Sequence, residues 1–224
     1  FAHGLDLVSD VLLRPSFPAE AVEREREAQL AGIKGQRDHL LSCAFKGLKR
    51  GLFGENGYGL DALGTEATVR SFKQEGIASF HRRMVVPHNA VLAVYGDIHA
   101  DAVRAEVEAA FAGWLPAPLP GAHPTARPTA LTPRLEEERD KEQAVIALGF
   151  PGTTFDHPDR WPLELLQEAC SDMGSRLFMR IRDELGLAYY VGASHFLGRT
   201  PGYFAFYCGT APGEVDRVEA ELRE

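Results

Sequence analysis

Six of the chain's 14 prolines crowd into the stretch from Leu115 to Pro133. Proline lacks a backbone N–H and holds φ near one value, so neither a helix interior nor a central strand runs through such a segment. The stretch predicts an extended linker at residues 116–133, with one domain at 1–115 and a second at 134–224.

The two halves read alike. Ala90–Tyr95 is a short β-rich apolar run stopped by Gly96-Asp97, and Asp101–Trp114 follows with helical spacing at Val103, Val107 and Phe111. Tyr95 and Val103 recur as Tyr207 and Val215, at an offset of 112 that is half of the 224 residues. Before the first of these runs, Leu5–Leu12, Ala19–Leu52 and Val69–Met84 keep helical periodicity, broken by Pro15 and Pro18 and by five glycines in Gly51–Gly64. After the linker, Gln143–Phe150, Tyr189–Phe196 and Gly202–Cys208 read as strands. Pro162–Leu185 and the residues after Gly213 read as helices. The expected class is α+β: two related domains, each laying helices on one face of a mostly antiparallel sheet. Both ends fall within helical sequence, which predicts an N-terminally truncated first domain and a C-terminally truncated second one.

Charge and cysteine usage narrow the function. A formal net charge of −8 speaks against nucleic acid as a partner. Arg24/Arg26, Lys46/Lys49/Arg50 and Arg82/Arg83 read as solvated helix faces. The longest apolar runs, such as Ala144–Phe150, are too short for a membrane span. Cys43, Cys170 and Cys208 form neither a disulfide framework nor a metal knuckle, which leans toward a reducing, cytoplasmic location.

The most specific stretch runs from Gly174-Ser175-Arg176-Leu177-Phe178 through Ile181-Arg182-Asp183-Glu184-Leu185-Gly186-Leu187-Ala188-Tyr189. Leu177, Phe178, Ile181 and Leu185 make an apolar helix stripe, and Gly186 suits a left-handed cap before a strand begins. That turn brings Arg182 and Tyr189 near each other. A guanidinium and a phenol are both donors, able to stabilise a carbonyl oxygen that gains charge under attack by water. The same placement also suits a structural use, with Arg182 favouring the helix C-terminus and Tyr189 half-filling the core.

The order of these residues resembles the pitrilysin/insulinase family of zinc metallopeptidases. Phe17-Pro18 with Val22-Glu23-Arg24-Glu25-Arg26, Tyr58-Gly59 with Gly64-Thr65, and Pro87-His88-Asn89 before Val94-Tyr95-Gly96-Asp97 carry the resemblance in the first half. Gln143-Ala144-Val145, Gly149-Phe150, the stretch just quoted and Gly209-Thr210 carry it in the second. Members of that family bind zinc through an inverted HxxEH helix and a third, glutamate ligand on a later helix. No HxxEH occurs here, and the family would place it before Phe1. With the family's Glu-Arg pair at Glu25-Arg26, the third-ligand position falls on Gly32, which has no side chain to offer. Glu23, Glu25 and Glu27 then read as a solvated face. His81 and His88 stand seven apart, while His39, His99 and His195 stand alone, so none forms a ligand pair.

The resemblance therefore implies a zinc-free, non-catalytic subunit or half, inactive alone and acting as a heterodimer with a zinc-bearing subunit or half. It would hold an extended peptide along a sheet edge and lend Arg182 and Tyr189 to the oxyanion. No cofactor is expected in this chain, the zinc lying in the partner. Two alternatives stay open: a non-proteolytic assembly or scaffold member of the same fold, and an active zinc subunit whose HxxEH lies upstream.

Overall fold

The computed structural model describes residues 1–119 and 134–224. In chain order the helices are α1 (Ala2–Leu13), α2 (Ala19–Gln36), α3 (Leu40–Phe53), α4 (Glu66–Ser71), α5 (Gln74–Met84), α6 (Ala100–Ala110), α7 (Arg160–Ser171) and α8 (Val215–Arg223). The strands are β1 (Ala144–Pro151), β2 (Tyr190–Phe196) and β3 (Tyr203–Thr210), and a π-helix occupies Phe178–Glu184 between α7 and β2. The result is the expected α+β mixture of helices with a small antiparallel sheet. By contacts the chain divides into two compact units, Phe1–Leu30 with Glu66–His123, and Ala31–Thr65 with Pro124–Glu224. The predicted linker 116–133 lies outside the described residues from residue 120 onward. The linear division into 1–115 and 134–224 stands as a proposal about the design of the chain.

The first unit is helical among the described residues. Arg26 is mostly covered and reaches from α2 to α4, donating to the carbonyl of Arg70 at 2.9 Å while pairing with Glu23 at 3.1 Å. Phe17 meets His81 of α5 edge-on at 5.6 Å. The predicted strand at Ala90–Tyr95 is not formed. A β-prone run becomes a strand only when another strand takes up its backbone groups, and no described segment does so. Val91 and Tyr95 are accordingly 97% and 92% exposed.

The second unit is built on the sheet, in the order β1-β3-β2, antiparallel throughout. Ala144 pairs with Thr210 and Pro151 with Tyr203, while Tyr190 pairs with Gly209 and Phe196 with Tyr203. Strand alternation sends β3 side chains to two faces. Cys208 joins Ile181, Leu187, Val191, Val218 and Leu222 in one cluster under α8 and the π-helix. Tyr203 and Ala205 join Leu52 and Phe53 of α3 in the other. α8 and the π-helix thus share one face as expected, and α3 covers the opposite face. That pairing spans more than a hundred residues of sequence, so local pattern does not announce it.

The helix expected across Pro162–Leu185 is interrupted. α7 ends at Ser171, Asp172–Ser175 turns, and the chain re-enters as the seven-residue π-helix. Buried Ser175 supports this re-entry, its hydroxyl accepting from the amide of Phe178 at 3.1 Å. Gly174, with Asp172 and Ser175 close by, favours a turn over continued helix, an effect that hydrophobic spacing alone hides.

Candidate functional site

Arg182 sits in the π-helix and Tyr189 one residue before β2. The link between them is a tight cap: Leu185 N–H donates to Arg180 C=O at 3.1 Å, Gly186 N–H to Arg182 C=O at 3.1 Å, and Leu187 N–H to Ile181 C=O at 2.9 Å. These bonds span one residue more than in an ordinary Schellman end, as suits the wider i→i+5 coil of a π-helix. Gly186 takes φ of +65°, the left-handed conformation that the sequence assigns to it. Ile181 and Leu187 are thereby in backbone contact, with Arg182 next to the first and Tyr189 two residues past the second.

Both side chains face outward. Tyr189 is 62% exposed, so it does not half-fill the core, and its backbone is held by its amide donating to Gly209 C=O at 2.8 Å. Arg182 is exposed and its guanidinium lies 4.7 Å from the centroid of the Phe178 ring. Among the described residues, neither the guanidinium nor the phenol has a hydrogen-bond or ion-pair partner. Arg180, two residues earlier, differs: Glu221 and Glu184 hold it at 3.0 and 3.2 Å.

The outer edge of β2 is partly closed to an added strand. Ser171 at the end of α7 donates to Ala193 C=O at 3.2 Å and accepts from its N–H at 3.3 Å, and Gln167 accepts from His195 N–H at 2.6 Å. Side chains of α7 thus take up main-chain groups that an extended peptide would need. β1 forms the other edge of this sheet.

A feature missing from the sequence reading lies between α3 and the turn after it, where a cavity of about 330 Å³ is lined by Leu41, Phe45, Lys49, Leu60 and Asp61. Asp61 is largely covered, with Lys46 at 2.6 Å and the Leu63 amide donating at 3.0 Å. Burial pushes its carboxyl pKa up, but the Lys46 ammonium and the Leu63 amide outweigh burial and hold it below the ordinary value. Lys46 is therefore engaged in an ion pair instead of standing on a free solvated face. Its partner is fifteen positions on, at a spacing that no helical pattern marks.

Gly32 lies on an exposed part of α2, and a Cβ built there meets nothing within 4 Å. Zinc of the HxxEH type needs two imidazoles and a carboxylate. Among the described residues no group of three or more His, Cys, Asp or Glu side chains is placed to hold a metal. His81 is packed on Phe17, and His195 has a covered Nε2 without a partner there and a pKa lowered by burial against the opposing pull of Glu164. The described residues do not fit zinc. No helix among the described residues is long and apolar enough to cross a membrane.

Residues 71–224 match the family model described as the peptidase M16 inactive domain. An uncharacterized zinc protease of Streptomyces coelicolor is 32% identical across 96% of this chain and 48% of its own length. One from Mycobacterium tuberculosis is 31% identical across 99% of this chain and 52% of its own. The chain thus spans about half the length of the curated relatives it matches. Among solved structures, a peptidase M16 inactive domain from Pseudomonas fluorescens superposes with a TM-score of 0.83 at 21% identity, over 98% of this chain and 55% of that one. A protease from Helicobacter pylori gives 0.84 at 17% identity, over 99% and 56%.

Proposed function

The chain belongs to the peptidase M16 family, and from that premise we propose that it serves as the zinc-free half of a two-part zinc metalloendopeptidase. The zinc and its general base lie in the other half. This half contributes peptide contacts and two donors, Arg182 and Tyr189, to the carbonyl under attack. The observation that carries the reading is the pair itself: a guanidinium and a phenol, both outward and without hydrogen-bond or ion-pair partners among the described residues, on the two arms of one tight cap.

The chemistry follows from charge development. As water adds to a peptide carbonyl, the oxygen becomes an alkoxide, and donors fixed in advance stabilise it without reorganising. The Tyr189 phenol gives one O–H donor. The Arg182 guanidinium gives several N–H donors and a positive charge. A phenol aimed at the oxyanion acts in the transition state and so affects kcat, whereas a guanidinium also attracts the ground-state carbonyl and so affects KM as well. Neither group takes a proton from water, which falls to the zinc-bearing half. The closed part of the β2 edge favours peptide docking away from Ala193–His195.

The test is peptide hydrolysis by the chain reconstituted with a zinc-bearing family partner. Tyr189→Phe is expected to lower kcat on the order of 10²-fold at unchanged melting temperature, the loss of one oxyanion donor. Arg182→Ala is expected to lower kcat and raise KM. Unchanged hydrolysis in both variants would remove the proposed role of the pair.

A further inference from the structure

We propose that Phe178 is a positioning residue, fixing the Arg182 guanidinium for its task; the inference rests on the reading of Arg182 given above. Two arginines of the π-helix, two positions apart, are held in opposite ways. Arg180 is gripped by two carboxylates, Glu221 and Glu184, which occupy its donors and offset its charge. Arg182 is held by the face of a ring at 4.7 Å.

A long, exposed arginine has several rotatable bonds, and an arginine that must meet a transient anion gains from having them restricted beforehand. A carboxylate would restrict it while neutralising it. An aromatic face attracts the cation through its quadrupole and accepts no N–H in the guanidinium plane, so charge and in-plane donors stay available. Phe178 can serve as such an anchor because it is itself fixed: its ring is half-buried and packs against the cluster of Ile181, Leu187, Val191, Cys208, Val218 and Leu222. The core thus transmits its rigidity through one ring to one exposed cation. Placement on a π-helix, a coil rare in proteins and frequent at functional sites, is consistent with this use.

The experiment compares Phe178→Leu, Phe178→Tyr and Arg182→Ala, singly and with Phe178→Leu and Arg182→Ala combined, in the reconstituted two-part enzyme. Phe178→Leu keeps apolar bulk against the core but removes the ring face. It is expected to lower kcat/KM roughly 2- to 5-fold, the range of a cation–π contact at an exposed site. Phe178→Tyr keeps the face and is expected to retain activity. In the Arg182→Ala background Phe178→Leu should cost nothing further, since the two act as one unit. The Arg182 side-chain NMR signals should carry a ring-current shift that survives in Phe178→Tyr and vanishes in Phe178→Leu. If Arg182→Ala impairs the enzyme while Phe178→Leu does not, or if the two losses add in full, the positioning role is overturned and the role of Arg182 stands. If Arg182→Ala leaves hydrolysis intact, the functional reading itself falls and the positioning role with it.

Discussion

The hydroxyl of Thr210 donates to the carbonyl of Leu187 at 2.6 Å, with Thr210 wholly buried and Leu187 nearly so. This one bond ties the end of the central strand to the segment that carries Tyr189, two residues on. Thr210→Val preserves shape but leaves a buried carbonyl without a donor, which is expected to cost about 1–3 kcal/mol. Denaturant unfolding measures it. Because Tyr189 N–H also depends on the neighbouring Gly209 carbonyl, hydrogen exchange at residues 187–189 should quicken in the same variant. A stability change within error would show that the bond contributes nothing.

Asp61 contributes to acid stability through the turn after α3. Its folded pKa lies below the ordinary value of 3.8. A depressed carboxylate contributes stability that is fully present above its unfolded pKa and is lost as pH falls through the folded one. Thermal unfolding followed from pH 7 downward should therefore show a loss beginning near that ordinary value. Asp61→Asn should flatten that part of the profile and destabilise the protein by about 1–3 kcal/mol at neutral pH, since Lys46 loses its partner. Parallel profiles for the two proteins would contradict this assignment.

Cys208 is fully buried, and burial pushes its thiol pKa up to about 11. A raised pKa means that stability is present below the ordinary value of 9.0 and is lost as pH rises from there toward the folded value. The thiolate is the reactive form, so Cys208 should resist alkylation at pH 8 while partly covered Cys43 reacts. Mass spectrometry after brief iodoacetamide treatment distinguishes the three cysteines. Rapid labelling of Cys208 in the folded protein would refute its placement.

Gly32 offers space but no ligand. Metal analysis after dialysis is expected to find no stoichiometric zinc in the isolated chain, and about one tightly bound zinc per chain would sink the zinc-free reading. Gly32→Glu should fit without strain, because nothing stands within 4 Å of the new Cβ. In an exposed helix interior it should stabilise by about 0.5–1 kcal/mol through helix propensity. It should not confer zinc binding, since a lone carboxylate lacks its imidazole partners.

The sequence by itself determined the strands β1, β2 and β3, the helices around them, the cap at Gly186 and the family. Each of these is written in neighbouring residues: period-2 runs, 3.6-period stripes, and a glycine free to take positive φ. The turn that carries Arg182 and Tyr189 on its two arms was legible for the same reason, while their role at a carbonyl is the proposal made above. Tertiary structure alone decided what depends on residues far apart. It laid α3 over the β3 face of Tyr203 and Ala205 and paired Lys46 with Asp61. It closed the β2 edge with Ser171 and Gln167. It widened the helix at Phe178–Glu184 into a π-coil. It also withheld a strand from Ala90–Tyr95, whose pattern is as β-prone as that of its counterpart. A strand is a relation between two segments, and a side chain turns outward or inward according to what the rest of the chain packs against it, so no local pattern specifies either.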